Sequence, residues 1–488
     1  MTTPVERPSL DPEEFRRQAH EIVDWMADYL RDVGSRPVQP AAEPGAVRAA
    51  LPAAPPQSGE PFQRIMADFE RIIVPGLTHW GHPGFLAYFP ANTSPPSILA
   101  EMLTATIGAQ CMSWNTSPAA TELEQVTMEW LRQMVGLSGE FTGVIQDTAS
   151  TATLVAMVTA RDQALGRLDG STAGRLDLLT AYTTLEANHS VPKGMRVAGF
   201  RPGHIRMVET GPENAMLPEV LRLQIRADRK AGLVPAAVVA TVGTTGSTAI
   251  DPVPAIAAIC REEKVWLHVD AAWAGSAAIV PELRWIFDGV DAADSVVFNP
   301  HKWLLVNFDC SAYFVKDRAA LLGSFGASAE ILRTAHDDRV VNYRDWGIQL
   351  GRRFRALKLW FVIRTYGVEG LRAMIREHVR LGKLLAEWIE REPEFELVAP
   401  ADLGLVVFRY RGEATGSRQP ATGELDAFNH RLQERVNATG KIFITGTRLG
   451  GRYVLRVALG HLTTTEANVR TAWEHIRTAS LAFSQGSR

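Results

Sequence analysis

Asp11-Pro12-Glu13-Glu14 places an acid at a helix N-cap, a proline at the first helical position and a glutamate at N3. Behind them Phe15, Ala19, Ile22, Val23, Met26, Leu30 and Val33 recur at helical spacing, so one apolar face runs to the stop at Gly34. From Arg36 to Pro61 the chain is dense in Pro and Ala and loses its period, which predicts a surface linker. The helix therefore rides on an arm and must bury its apolar face on another part of this chain or on a second chain.

Beyond residue 90 the pattern alternates. Short β-rich runs at Gly143–Gln146, Leu176–Tyr182, Ala236–Val242, Val265–Val269 and Ser295–Phe298 are separated by longer helical stretches. Such alternation predicts an α/β fold, a mostly parallel central sheet with helices on both faces. Near residue 370 the order changes to a long charged helix, candidate strands Leu405–Tyr410, Lys441–Thr445 and Tyr453–Leu459, and a closing helix from about Thr463. This end of the chain reads as a smaller α+β domain.

Composition narrows the function. A chain of 488 residues exceeds what one core supports, so more than one packed unit is expected. Its 46% apolar and 22% charged residues exclude global disorder, and a net charge of −3 gives no electrostatic footprint for nucleic acid or an anionic membrane. A small-molecule partner is the default. Cys111, Cys260 and Cys310 have no C-x-x-C spacing, so neither a disulfide framework nor a zinc site is expected, and a reducing, cytoplasmic home fits. No run approaches the ~20 apolar residues of a membrane span, and the N-terminus lacks a signal-like apolar stretch. His79 and His82 have metal-like spacing but no converging acid or cysteine, so no metal is expected. The run Arg352, Arg353, Arg355 and Lys358 lacks interleaved aromatics and reads as a charged helix start or a subunit contact.

The chemistry concentrates in Val265-Trp-Leu-His-Val-Asp270-Ala-Ala-Trp and Asn299-Pro-His-Lys302-Trp303. Each is a strand whose C-terminal end carries polar groups, and open α/β sheets bind ligands outside those ends. Pyridoxal phosphate needs such a pair, a lysine amine for its aldehyde carbon and a carboxylate to keep its pyridine nitrogen protonated. Isolated charged residues usually lie on the surface. Here Val296–Phe298 and Trp303–Val306 flank Lys302 with apolar side chains, and burial favours the neutral, nucleophilic amine.

Together with His82–Pro90, Ser117–Glu124, His268–Ala272, Asn299–Ser311 and Gly351–Lys358, these segments resemble the group II pyridoxal-phosphate amino-acid decarboxylases, specifically the aromatic L-amino-acid decarboxylases. The resemblance implies a fold-type-I homodimer with an exchanged N-terminal helical arm (1–94), a large cofactor domain (95–367) and a small C-terminal domain (368–488). It implies that Lys302 holds the cofactor, that Asp270 pairs with the pyridinium, and that His189 stacks on the ring with Ala272 on the opposite face. Thr148, Ala149 and Ser150 follow a strand and open an apolar helix, a geometry that binds a phosphate. Asn299 joins as a phosphate contact, His301 reaches the phosphate or the substrate, and Thr244 or Thr245 contacts the cofactor. Trp80, Tyr88, Phe89 and Pro90 line the substrate side, Gln110 and Met112 reach it from the neighbouring subunit, and Gly351 leaves room for an indole. Ala91 and Trp273 replace a threonine and a tyrosine of the animal relatives, which bears on the choice of aromatic side chain.

The implied reaction is decarboxylation of an aromatic L-amino acid to its amine. Its rivals are an aldehyde synthase that adds oxidative deamination, and a non-catalytic cofactor-binding homologue. Tyr343 closes a stretch from Gly323 to Val341 with no sustained apolar period, which suits a mobile lid, and the family assigns a tyrosine there to proton return at Cα.

Overall fold

The computed structural model describes residues 11–168, 175–326, 339–412 and 421–485. Seven strands make the large sheet: β1 (Thr142–Gln146), β2 (Leu179–Thr184), β3 (Ile205–Val208), β4 (Val234–Thr241), β5 (Trp266–Asp270), β6 (Ser295–Phe298) and β7 (Ser311–Val315). In space they run β1-β7-β6-β5-β4-β2-β3. Only β7 is antiparallel to its neighbours, so the sheet is mostly parallel, as the alternation predicts. Every residue of β5, β6 and β7 is buried; β5 and β6 match expected β-rich runs, whereas β7 was not among the expected strands.

Two strand boundaries differ from expectation. Leu176 and Leu178 remain at the surface in a 3-10 turn, and the strand starts only at Leu179, where burial begins. The run Lys441–Thr445 is not a strand of the small sheet. Phe443 instead exchanges backbone hydrogen bonds with the arm, donating its N–H to Gly84 and accepting from Leu86. A Cβ on Gly84 would stand 2.1 Å from the Lys441 carbonyl, so this approach requires glycine. The small sheet consists of β8 (Phe395–Leu397), β9 (Leu405–Tyr410), β10 (Thr445–Leu449) and β11 (Arg452–Ala458), in the order β10-β11-β9-β8.

Helix Arg355–Glu390 spans from the large sheet to the small one and breaks at Gly367, whose φ of 64° few other residues adopt. At the other end, helix Pro12–Asp32 is capped by the Asp11 carboxylate, which accepts from the Glu13 and Glu14 N–H groups. None of its residues is buried, and Phe15, Val23 and Leu30 are exposed. Among the described residues its Trp25 and Tyr29 pack against Phe69 and His79.

The basic run at 352–358 opens helix Arg355–Glu390, as expected, and while Arg353 stays exposed its other three cations are buried in ion pairs. Arg352 forms a buried ion pair with Glu124 at 2.7 Å, Arg355 pairs with Asp309 at 2.8 Å, and the fully buried Lys358 pairs with Glu101 at 2.7 Å.

Candidate active site

β5 and β6 lie side by side with Asp270 in register with Val297, so the chain leaves both strands at one edge. After β6 a single helical turn, Pro300–Trp303, carries Lys302 back over that edge. The turn is held by Asn92. Its backbone N–H donates to the His301 carbonyl, its amide nitrogen donates to the carbonyls of Lys302 and Gly460, and its amide oxygen accepts from the Leu462 N–H. One buried asparagine thus fastens the arm, the lysine turn and the C-terminal segment together.

Asp270 is fully enclosed and accepts from the Ala272 N–H at 3.0 Å. Burial pushes its carboxyl up, and nearby Lys302 pulls it back. Burial likewise pushes the Lys302 amine down, against the pull of Asp270 and aided by Arg456. The two groups therefore keep an acid and a nucleophilic amine within one dry space. His301 accepts from the Cys310 N–H through Nδ1 at 3.0 Å, and burial, with Lys302 adding, holds it down to about 3, so it is neutral.

These groups surround a cavity of about 230 Å³ lined by Phe89, Thr148, Ala149, Ser150, Thr245, Asp270, Ala272, Asn299, His301 and Lys302. Helix Ala149–Gly166 points its N-terminus here, capped by Thr148, and offers N–H groups to an anion. The Asn299 amide oxygen is taken by Ser311 at 2.7 Å, which leaves its N–H groups as donors. A phosphate thus has a helix terminus at one side of the cavity, and a pyridine ring has Asp270 and Lys302 at the other. The residues present fit pyridoxal phosphate. A larger cleft of about 540 Å³ holds Lys264, Lys316 and Asp294, none of them buried, and one of about 480 Å³ has no lysine.

One wall is aromatic. Phe89 stacks on Trp273 with ring centroids 4.4 Å apart, and Trp273 stacks on Trp303 at 4.2 Å. Trp303 donates to His378 at 3.0 Å, and Trp273 donates to the Leu403 carbonyl at 2.9 Å, tying the stack to the small domain.

Other expected residues fall elsewhere. Thr244 is buried in its own turn, where its hydroxyl accepts from the Ala249 N–H and bonds Ser247. Thr245 is the one that lines the cavity, and it accepts from Asn188 at 3.1 Å. His189 is exposed at the start of helix Ser190–Val197, between the lining residues Asn188 and Ser190. Tyr88, at φ 54°, turns outward to stack on Trp80, and neither lines the cavity of this chain. Pro90 is buried behind the wall beside Trp273 and Gly460. Gln110, Met112 and Gly351 are also absent from this chain's own cavity and form one unit. Gln110 accepts from the Arg352 N–H at 2.7 Å, Met112 accepts from the Arg344 N–H at 2.8 Å, and a Cβ on Gly351 would meet the Gln110 amide at 3.2 Å.

Tyr343 is a correction. It sits in a 3-10 turn, 3% exposed, packed on Trp346 and covered by the Arg352 guanidinium 4.7 Å from its ring centroid. A ring so enclosed is part of the core, not of a lid, and it does not line the cavity of its own chain. Most of the expected lid, residues 327–338, lies outside the described residues.

Sequence reasoning missed Asn92 and Arg456. Asn92 stood in a chance glycosylation triplet, and Arg456 is a charge inside the apolar run Val454–Ala458, which was its one available signal.

Fold and site together define a fold-type-I pyridoxal-phosphate enzyme. Residues 44–411 match the family model described as the pyridoxal-dependent decarboxylase conserved domain. The aromatic-L-amino-acid decarboxylase of Rattus norvegicus is 44% identical over 483 residues, covering 96% of this chain and 98% of that one. The phenylacetaldehyde synthase of a Rosa hybrid cultivar is 40% identical, covering 96% and 94%. Among solved structures, Oryza sativa TDC with PLP and tryptamine superposes with a TM-score of 0.95 at 39% identity, covering 98% of this chain and all of that one. The chain belongs to the pyridoxal-dependent decarboxylase family, and it is a pyridoxal-phosphate-dependent carboxy-lyase.

Proposed function

We propose that this enzyme decarboxylates aromatic L-amino acids of the tyrosine, tryptophan, phenylalanine and dihydroxyphenylalanine class to their amines. The observation that carries this reading is the buried Lys302 and Asp270 pair facing the Phe89–Trp273 stack, which suits a flat apolar side chain. Pyridoxal phosphate, when bound, supplies a ring that accepts the electron pair left by loss of carbon dioxide. The chain's own residues do the rest. Thr148, Ala149, Ser150 and Asn299 bind the phosphate. Asp270 holds a proton at the ring nitrogen, and Ala272 and His189 bracket the ring. Lys302, its amine favoured neutral by burial, would hold the cofactor through its aldehyde carbon and supply the nucleophilic amine of the site. His301, neutral and fixed by its Nδ1 bond, is placed to hydrogen-bond substrate or phosphate.

The enzyme is proposed to be a homodimer, divided into arm 1–94, large domain 95–367 and small domain 368–488. The exposed apolar face of helix Pro12–Asp32, together with Leu99, Leu103 and Ile107 on helix Pro95–Ile107, supports pairing with a second copy. In that dimer Gln110 and Met112 would reach the substrate side from the neighbouring subunit, with Trp80, Tyr88 and Gly351 as further substrate-side residues. All three cysteines are free and buried, which fits a cytoplasmic location. Among the described residues no helix is long and apolar enough to cross a membrane.

Purified enzyme incubated with each aromatic amino acid and with glutamate, with amine, aldehyde and peroxide quantified, tests the reading. Faster turnover of glutamate than of every aromatic amino acid overturns it. Stoichiometric peroxide and aldehyde would assign the enzyme to the aldehyde synthases instead.

A further inference from the structure

His378 lies in helix Arg355–Glu390, beyond the break at Gly367, and is fully buried. Its Nδ1 meets the Trp303 indole N–H at 3.0 Å, and its Nε2 meets the His461 carbonyl at 3.0 Å. An indole N–H only donates and a carbonyl only accepts, so the proton of this ring stands on Nε2 and the imidazole is neutral. Burial, which holds the ring down to about 4, keeps it so. Trp303 follows Lys302 on the single turn Pro300–Trp303 and is itself buried, stacked on Trp273. The small domain also presses on this indole, since a Cβ at Gly404 would stand 3.0 Å from its Cζ2. Gly460, next to His461, accepts from the Asn92 amide that also holds the Lys302 carbonyl. Neighbouring carbonyls of the C-terminal segment thus reach the lysine turn by two routes, one through its backbone and one through the Trp303 indole.

We propose that His378 is a positioning residue for Lys302: by fixing the Trp303 indole it sets where the lysine amine stands against Asp270, and it ties that placement to the seating of the small domain. The proposal rests on Lys302 being the lysine that carries the cofactor. His378 does not line the cavity and acts only through its neighbour. A helical turn of four residues is too short to fix its own orientation by internal hydrogen bonds, so the orientation comes from outside. A displaced indole turns the adjoining Lys302 backbone, and the amine, at the end of its flexible stem, moves farther than the backbone does. Asp270 raises the proton affinity of this amine against burial, so a change in their separation alters the charge of the lysine as well as its reach. An apolar side chain of similar size would fill the space of His378 and leave the Trp303 N–H and the His461 carbonyl unpaired.

The test compares cofactor-loaded parent enzyme with His378→Leu, which keeps bulk but neither hydrogen bond, His378→Gln, which keeps an acceptor and a donor, and Trp303→Phe, which removes the indole N–H from the other end. Measured on each are kcat and KM for the amino acid turned over fastest, the pH midpoint of the absorption band of the lysine-bound cofactor, and Tm. His378→Leu is expected to lower kcat about 10-fold, to change KM less than about 3-fold and to move the midpoint by at least about 0.5 pH unit. Trp303→Phe should do the same, and it serves alone if the leucine variant does not fold. His378→Gln should recover most of the lost kcat and restore the parent midpoint. A lower Tm with unmoved midpoint and kcat, or a glutamine variant no better than the leucine one, overturns the proposal and leaves His378 a packing residue. Borohydride reduction and peptide mapping of the parent separate this from the reading beneath it. Label on another lysine sinks the Lys302 assignment and the proposal with it, whereas label on Lys302 with an unmoved midpoint sinks the proposal alone.

Discussion

Asp270 is held up by burial and relieved chiefly by the Lys302 cation, with the Ala272 N–H adding, so its carboxylate form depends on what stands opposite. Replacing it with alanine should leave the lysine and the phosphate contacts in place. Asp270→Ala is therefore expected to bind cofactor, seen by absorbance, while turnover falls by at least about 100-fold, because the ring loses its stabilising partner. Near-parental turnover would refute the assignment. Tyr343 leads to the opposite expectation. Its ring packs in the core beneath Arg352, so Tyr343→Phe keeps the packing and should cost less than about 1.5 kcal/mol, leaving the ratio of amine to aldehyde unchanged. A rise in aldehyde and peroxide would restore Tyr343 to the chemistry. At this scale the sequence is legible where side-chain type and strand end coincide, as at Asp270, Asn299 and Lys302. It is misleading where tertiary packing decides, because nothing near Tyr343 announces that Arg352, nine positions on, folds over it.

Among the elements, the Arg352–Glu124 pair does what a run of arginines does not reveal. Arg352 donates to both oxygens of Glu124, to the Ile145 carbonyl of β1 and to the Cys111 carbonyl, and Glu124 also accepts the Ile145 N–H. Helix Pro118–Val135, the first sheet strand and the Gln110–Met112 segment meet at this one guanidinium. Arg352→Met leaves a buried carboxylate unpaired and is expected to destabilise the fold by about 3–5 kcal/mol, read as a large drop in Tm. A Tm within a degree or two of the parent would show that the pair is dispensable. The central strands were legible because burial on both faces makes them uniformly apolar. Lys441–Thr445 was not, because Ile442 and Ile444 are buried as a strand's would be while the backbone bonds the distant Gly84–Leu86. Local pattern does not say which partner a backbone finds.

Among the described residues burial lowers six histidines, His79 and His82 among them, and four of the six strongly. Burial holds His268 and His301 down to about 3 and His378 and His461 to about 4. In the unfolded chain each takes up a proton near pH ~6.5 that the folded chain refuses, so acidification favours unfolding by up to about 1.4 kcal/mol per pH unit per histidine. Asp251, pushed up to about 6 by burial, and Glu186, Asp270 and Asp294, raised by the same cause, work the other way and offset part of the histidines' effect. Thermal melts should therefore show Tm falling between pH ~8 and ~5.5. A flat or rising Tm would contradict this balance. Deleting residues 1–34 tests the arm at the same scale: loss of the dimer or aggregation is expected on sedimentation, and an active monomer would refute exchange.

The bridge between Phe85 and Phe443 has a consequence for how the protein is made. Residues 84–86 leave the ribosome hundreds of positions before 442–444, and Asn92 waits still longer for Gly460 and Leu462. Through most of synthesis, then, Phe85, Leu86 and Ala87, which end up buried, have only Val38 and Trp80 beside them and lack the C-terminal segment that completes their cover. The nascent chain is most prone to aggregate in that interval, and Phe89 and Arg456 come together only after it ends. A chain cut short before β11 would carry Lys302 and Asp270 and still lack the Gly460 and Leu462 backbone that fixes Asn92 beneath the lysine turn.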